Sequence, residues 1–180
     1  MPATISGTDA VVTILNRAFN DQSPSFNVYA NQVTAANEWG AGAFAKSFGS
    51  AFTGLTEDQL STKLLNNLGV LPDTGLQIAV RDYLVAVGKA SAGIVGMQLG
   101  QILSGLEQAT GDQAIYRNAA VAWNKELADS HAHSIDPANR NDSPITNAVA
   151  SAYLVNSTST DGDGSGVELT GLGIAVSAIF

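Results

Sequence analysis

The stretch that most constrains this chain is residues 64–106, LLNNLGVLPDTGLQIAVRDYLVAVGKASAGIVGMQLGQILSGL, where apolar residues keep helical spacing for longer than anywhere else. Leu76, Val80, Leu84 and Val87 fall on one face, and Ile78, Tyr83 and Val85 widen it, which predicts a mostly buried helix. Pro72 disfavours helical geometry at Leu71, and Asp73 can accept bonds from the first free backbone N–H groups, so the helix starts there. Gly88 is suited to a left-handed cap at its end. A second helix is predicted from Ser91, carrying Ile94, Met97, Leu99, Ile102, Leu103 and Leu106, with Gly93, Gly96 and Gly100 near one face. Each interior glycine costs about 1 kcal/mol against alanine. Three of them imply a return, which is the close approach of a neighbouring backbone; a ligand or membrane groove is the alternative. Lys89, Gln98, Gln101 and Glu107 interrupt the roughly 20 apolar residues a bilayer needs, so no membrane span is expected.

The flanks extend the helical pattern. A first helix is predicted from Ser6 or Thr8 through Val11, Val12, Ile14, Leu15 and Phe19, stopped by residues 21–24. A short one follows through Phe26, Tyr29 and Val33 to Trp39 and Gly40, and another from Ala41 to Phe52 with Phe44, Phe48 and Phe52 four apart. That aromatic stripe reads as core, with a lipid or cofactor groove as the alternative. Thr56 and Gln59 match a capping box ahead of Leu60, Leu64, Leu65 and Leu68. A last helix opens at Gly111 and Asp112, with Tyr116, Ala119, Ala120, Trp123 and Leu127 inward.

Beyond residue 136 the composition changes. Residues 137–146 are polar and turn-rich, which predicts a linker or a wrapping loop. Residues 149–155 and 166–180 are rich in β-branched and small residues around the loop NSTSTDGDGSG, which predicts two or three strands or a hairpin. The fold expected is therefore mainly α. It is a compact bundle of about six or seven helices over residues 1–136, with a linker at 137–146 and a β-rich C-terminal tail at 147–180.

Charge narrows the function classes. Only 13% of the 180 residues are charged, against about 25% in ordinary domains. The net charge is −8, with no basic cluster to neutralise a row of phosphates, so nucleic acid is not an expected partner. With no cysteine, disulfides, thiolate metal sites and cysteine nucleophiles are excluded. The N-terminus, MPATISGTDAVV, lacks the basic and continuous apolar regions of a secretory signal. Export would need another route.

The residues Leu64–Val70, Tyr83-Leu84, Gly88-Lys89, Gly93, Leu99, Ile102–Leu106, Tyr116, Ala122-Trp123-Asn124 and Ser130–Ser134 carry a resemblance that covers residues 8–145. The sequence resembles the N-terminal α-helical segment of bacterial surface proteins exported by type I secretion, S-layer-like or calcium-binding repeat (RTX-type) proteins. That resemblance implies a helical segment, export through type I machinery on an uncleaved C-terminal signal, and an extracellular or cell-surface location. Family members usually continue into glycine-aspartate nonapeptide repeats that bind calcium. This chain has no such array, only Asp161-Gly-Asp-Gly-Ser-Gly166 followed by Glu168.

Two groups of residues are candidate metal sites. Asp161, Asp163 and Ser165 have the spacing of the first half of an EF-hand loop, with Gly166 at its turn position. Position twelve, where a bidentate Glu is needed, is Leu172, and Glu168 falls at position eight. A weak calcium site and a plain Asp-Gly turn between two strands both account for these residues. His131 and His133, two apart, are the second group. They would lie on different sides of a helix but on one side of an extended segment. The plainer reading places them at a helix end where the dipole favours them; the sharper one is a transition-metal or haem contact.

No catalytic constellation occurs: there is no G-x-S-x-G elbow, no H-E-x-x-H and no phosphate-cradling glycine loop after a strand. The expectation is a non-enzymatic, secreted subunit of an extracellular layer or filament. It would self-assemble as a homo-oligomer through the strand-like tail or an apolar helical face, calcium being the one cofactor suggested. Capture of haem, metal or glycan, or anchoring to cell-surface polysaccharide, is the alternative.

Overall fold

The computed structural model describes residues 5–140 and the backbone of residues 145–146. Over these residues the chain is mainly helical, as its periodicities predict. Seven α-helices follow one another among the described residues: α1 Gly7–Leu15, α2 Phe26–Trp39, α3 Ala41–Ser50, α4 Glu57–Asn67, α5 Thr74–Val87, α6 Ala92–Ser104 and α7 Arg117–Ile135. One π-helical turn, Asn16–Asn20, continues α1, and short 3-10 turns precede α6 and α7.

The boundaries come from local chemistry. Thr56 and Gln59 close the capping box, the Gln59 N–H donating to Thr56 Oγ1 and the Thr56 N–H to Gln59 Oε1, which fixes the start of α4. Asp73 caps α5 by accepting the Leu76 N–H at 2.9 Å. Gly88 ends α5 at positive φ, as its residue type suggests, but with ψ 147°. The chain therefore leaves the helix extended instead of closing a left-handed cap.

The helix predicted to be mostly buried, α5, is not. It buries only Leu76, Val80 and Leu84, while Ile78 and Val85 are 44% and 63% exposed and Val87 is exposed as well. α5 packs mainly on α4 at the edge of the bundle, so just one of its faces meets the body. The buried helix is α6, with ten of its thirteen residues inaccessible. It crosses α3, α1 and α7.

The α6 glycines explain how. A Cβ on Gly93 would lie 1.7 Å from the Ala45 carbonyl oxygen, and one on Gly49 would lie 2.3 Å from the Gly93 nitrogen, so α3 and α6 touch backbone to backbone. Gly96 leaves room for the Phe19 ring, and Gly100 for Ile14 and Trp123. Close helix packing is thus the role of all three. The phenylalanine stripe is also core: Phe44 is buried, and Phe48 and Phe52 pack at 5.9 and 4.8 Å from the Phe19 ring.

Within residues 137–146, Pro137–Asn139 forms a 3-10 turn capped by Asp136. Two strands of two residues each, β1 Gln22–Ser23 and β2 Ile145–Thr146, pair antiparallel with Gln22 opposite Thr146 and Ser23 opposite Ile145. The chain that leaves the helical domain is thereby tied back to its first third. The β hairpin expected within 147–180 lies outside the described residues.

Candidate functional site

Among the described residues, opposite charges are buried against each other at one place. The π turn carries Arg17, whose side chain is 0% exposed. Its Nη2 donates to Glu126 Oε2 of α7 at 3.1 Å and also to Asp21 Oδ1. Asp21 adopts φ 51° where the π turn ends. That left-handed conformation is one an aspartate tolerates, and it turns the carboxylate back onto Arg17. Glu126 is itself buried, with its side chain 4% exposed.

One guanidinium thus faces two carboxylates, Glu126 buried and Asp21 19% exposed. Burial raises the Glu126 carboxyl to about 7, against the opposing pull of Arg17 and with help from the charges of Asp21 and Asp129. Burial likewise raises Asp21, opposed by Arg17 and Lys63. The cluster can bind and release a proton near neutrality. Arg17 and Glu126 are buried and only the Asp21 carboxylate reaches solvent, so the cluster ties the π turn to α7.

The sequence reading passed over Arg17 and Glu126. A signal was present, since Arg17 is the lone charge in the otherwise uncharged run between Asp9 and Asp21. A buried arginine needs a buried carboxylate, but nothing in the sequence says which one.

The two histidines are on α7, and helical geometry sends them to different sides. His131 meets the Tyr29 ring edge-on at 5.9 Å. His133 Nδ1 pairs with Asn139 Nδ2 at 3.0 Å. The acids near them in sequence are engaged elsewhere, Asp129 with Lys125 and Asp136 as the cap of the following turn. Asp161, Asp163, Ser165 and Glu168 lie outside the described residues. The described residues bring together no group of three or more His, Asp or Glu able to hold a metal.

Two concavities accompany these groups. An apolar cleft between α4, α5 and α6, walled by Leu65, Leu68, Leu76, Leu103 and Tyr116, encloses about 40 Å³. That is room for a few water molecules and far below the several hundred Å³ of a small-molecule pocket. An open hollow of about 490 Å³ lies beside the α3–α4 turn, bordered by Ala51, Phe52, Gly54, Leu55, Gln59 and Lys63, with the Lys63 ammonium 5.8 Å from the Phe52 ring centre.

Apolar side chains exposed on the bundle include Trp39, Val121, Ile135 and Val28 and, on the outer face of α5, a pair. Ile78 and Val85, two turns apart, flank Arg81 and Asp82, whose side chains pair at 2.7 Å while 38% and 62% exposed. No described helix is long and apolar enough to cross a membrane. Comparison with protein-family models, with curated proteins and with solved structures found no match.

Proposed function

We infer that this chain is a non-enzymatic, secreted bacterial surface or matrix protein, a subunit of an extracellular layer or filament that self-assembles. The observation that carries the reading is the outer face of α5, which leaves Ile78 and Val85 in water although the bundle completes its core without them. Three features add support. The surface is poor in charge, so copies meet little desolvation cost on contact. The resemblance of residues 8–145 to the helical segment of type I-exported S-layer-like and calcium-binding repeat proteins points the same way. The β1–β2 pairing starts residues 147–180 from a fixed place on the bundle. That tail, rich in β-branched residues, is then the element through which assemblies grow, with the Asp161, Asp163, Ser165 and Glu168 loop as a weak calcium site within it.

Light scattering on the eluting full-length chain, followed by negative-stain electron microscopy with and without millimolar calcium, tests this. The expected result is concentration-dependent growth into filaments or sheets. A monodisperse monomer at every concentration, with or without calcium, overturns it.

Capture of an extracellular ligand is a second reading, favoured by the open hollow at Phe52, Gln59 and Lys63, where an aromatic ring, an amide and an ammonium suit a glycan. Envelope polysaccharide should then raise the melting temperature in proportion to the logarithm of its concentration. The 40 Å³ cleft is too small for haem.

A further inference from the structure

We propose that the outer face of α5 is a two-fold, self-complementary contact whose occupant is the same face of a second copy of this chain. The inference rests on the self-assembly reading and names one of its contacts.

Leu76, Val80 and Leu84 hold α5 to the body, so the opposite side presents Ile78, Arg81, Asp82 and Val85 at spacings of three and four. These four are symmetric in kind about the midpoint between Arg81 and Asp82. In an antiparallel pairing centred there, Ile78 meets Val85 of the second copy, Val85 meets Ile78, and Arg81 meets Asp82 twice. Both apolar residues are covered and four charges close into a neutral ring. A parallel pairing would instead oppose Arg81 to Arg81 and Asp82 to Asp82. The antiparallel arrangement is an isologous contact, the geometry that makes closed dimers.

Charge selects this occupant over others. The chain carries a net −8, so two copies repel weakly at long range, and a contact that sets opposite charges against each other is favoured over one that does not. The α5 face is locally neutral and offers each sign to its opposite. A strongly basic or acidic partner would gain nothing from that arrangement. Asp82, 62% exposed at the centre of the face, is equally unsuited to a lipid surface.

Size sets the strength. One face of a 14-residue helix covers less than the roughly 800 Å² per partner of a stable complex. The contact is therefore weak in isolation, and it gains weight where copies are already concentrated by assembly through another surface.

Sedimentation velocity of the full-length chain over a wide concentration range reads the contact. Arg81→Glu and Asp82→Arg each place like charges against one another across the two-fold and should each raise the dissociation constant at least tenfold. Mixed one to one, the two variants are complementary at both pairs, and association should return as a heterodimer. The double exchange on one chain should also restore it. Asp82→Arg makes the chain less negative, so its loss of association is opposite to what overall repulsion predicts. Both side chains are solvent-accessible, and circular dichroism verifies that each variant folds. The contact is overturned if either single variant associates as the parent does, or if the mixture associates no better than its components. Assembly that persists unchanged in both single variants overturns the α5 contact alone, whereas a parent chain that stays monomeric throughout overturns the self-assembly reading with it.

Discussion

Arg17 and Glu126 are 109 positions apart in the chain and 3.1 Å apart in the fold, with side chains that are 0% and 4% exposed. Nothing else carrying opposite charge is buried so completely among the described residues. The pair joins the end of the first helical run to the middle of the last helix, and its partner Asp21 sits where the chain turns into β1. The tie therefore links elements from opposite ends of the described chain.

Burial of Glu126, against the opposing pull of Arg17, makes stability fall with rising pH. Glu126 holds its proton to about 7 in the folded chain, against 4.5 for a solvated glutamate, and Asp21 shifts in the same direction. Between those values the folded state binds more protons than the unfolded one. The contribution is thus full below about 4.5 and is lost as pH rises through 7, on the order of 3 kcal/mol. Thermal melts from pH 5 to 8 should show a falling midpoint, and Glu126→Gln should flatten the profile. A parent profile that rises over this window contradicts the assignment.

Gly93→Ala should be among the most damaging single-methyl additions in the described chain. Its Cβ would enter the space of the Ala45 carbonyl, which is backbone and cannot rotate away, so α3 and α6 must separate at a cost of about 3 kcal/mol. Gly105→Ala, with φ −81° and open space around it, should be neutral or stabilising by about 0.5 kcal/mol. Urea denaturation of the two variants measures the difference. Equal midpoints would mean that the helices are not in backbone contact.

Asp73 has two duties, capping α5 through the Leu76 N–H and accepting the buried Tyr116 hydroxyl. Burial and that hydrogen bond push the tyrosine hydroxyl well above its ordinary range, so it stays a donor at any working pH. Asp73→Ala should cost about 2–4 kcal/mol, the sum of a lost cap and an unpartnered hydroxyl. Tyr116→Phe keeps the cap and should cost about 1 kcal/mol. If the two variants melt together, the cap contributes nothing.

Removal of residues 147–180 should leave the helical circular dichroism intact, because the seven described helices share a core among residues 5–127. It should abolish growth into filaments or sheets, leaving species no larger than a dimer. A truncated chain that still forms the parent's assemblies would place the growth surface on the helical domain.

Much of the fold was legible in one dimension. The starts of α4 and α5 are fixed by Thr56, Gln59 and Asp73, whose partners are three residues away, so the chain contains the whole motif. The inward residues of α4 and α7 followed from periodicity, because a helix with one polar side has one choice of face, whereas α1 is buried all round from Ala10 to Leu15. Close packing at Gly93 was legible for the same kind of reason: a helix accepts the cost of glycine only where something needs the room. The failure at α5 is instructive. Ile78, Val85 and Val87 raise its apolar content, and sequence alone does not distinguish a helix wrapped by neighbours from one lying at an edge with apolar residues in water.

What the sequence determined by itself is therefore the set of helices, their caps and their inward stripes, since each rests on residues within a turn or two of one another. The tertiary structure decided which helix is central, that Arg17 finds Glu126, that His131 and His133 part to different sides of α7, and that Ile78 and Val85 stay outside. These depend on which elements lie against each other in space. Burial and electrostatic pairing are properties of that proximity, and local spacing does not encode it.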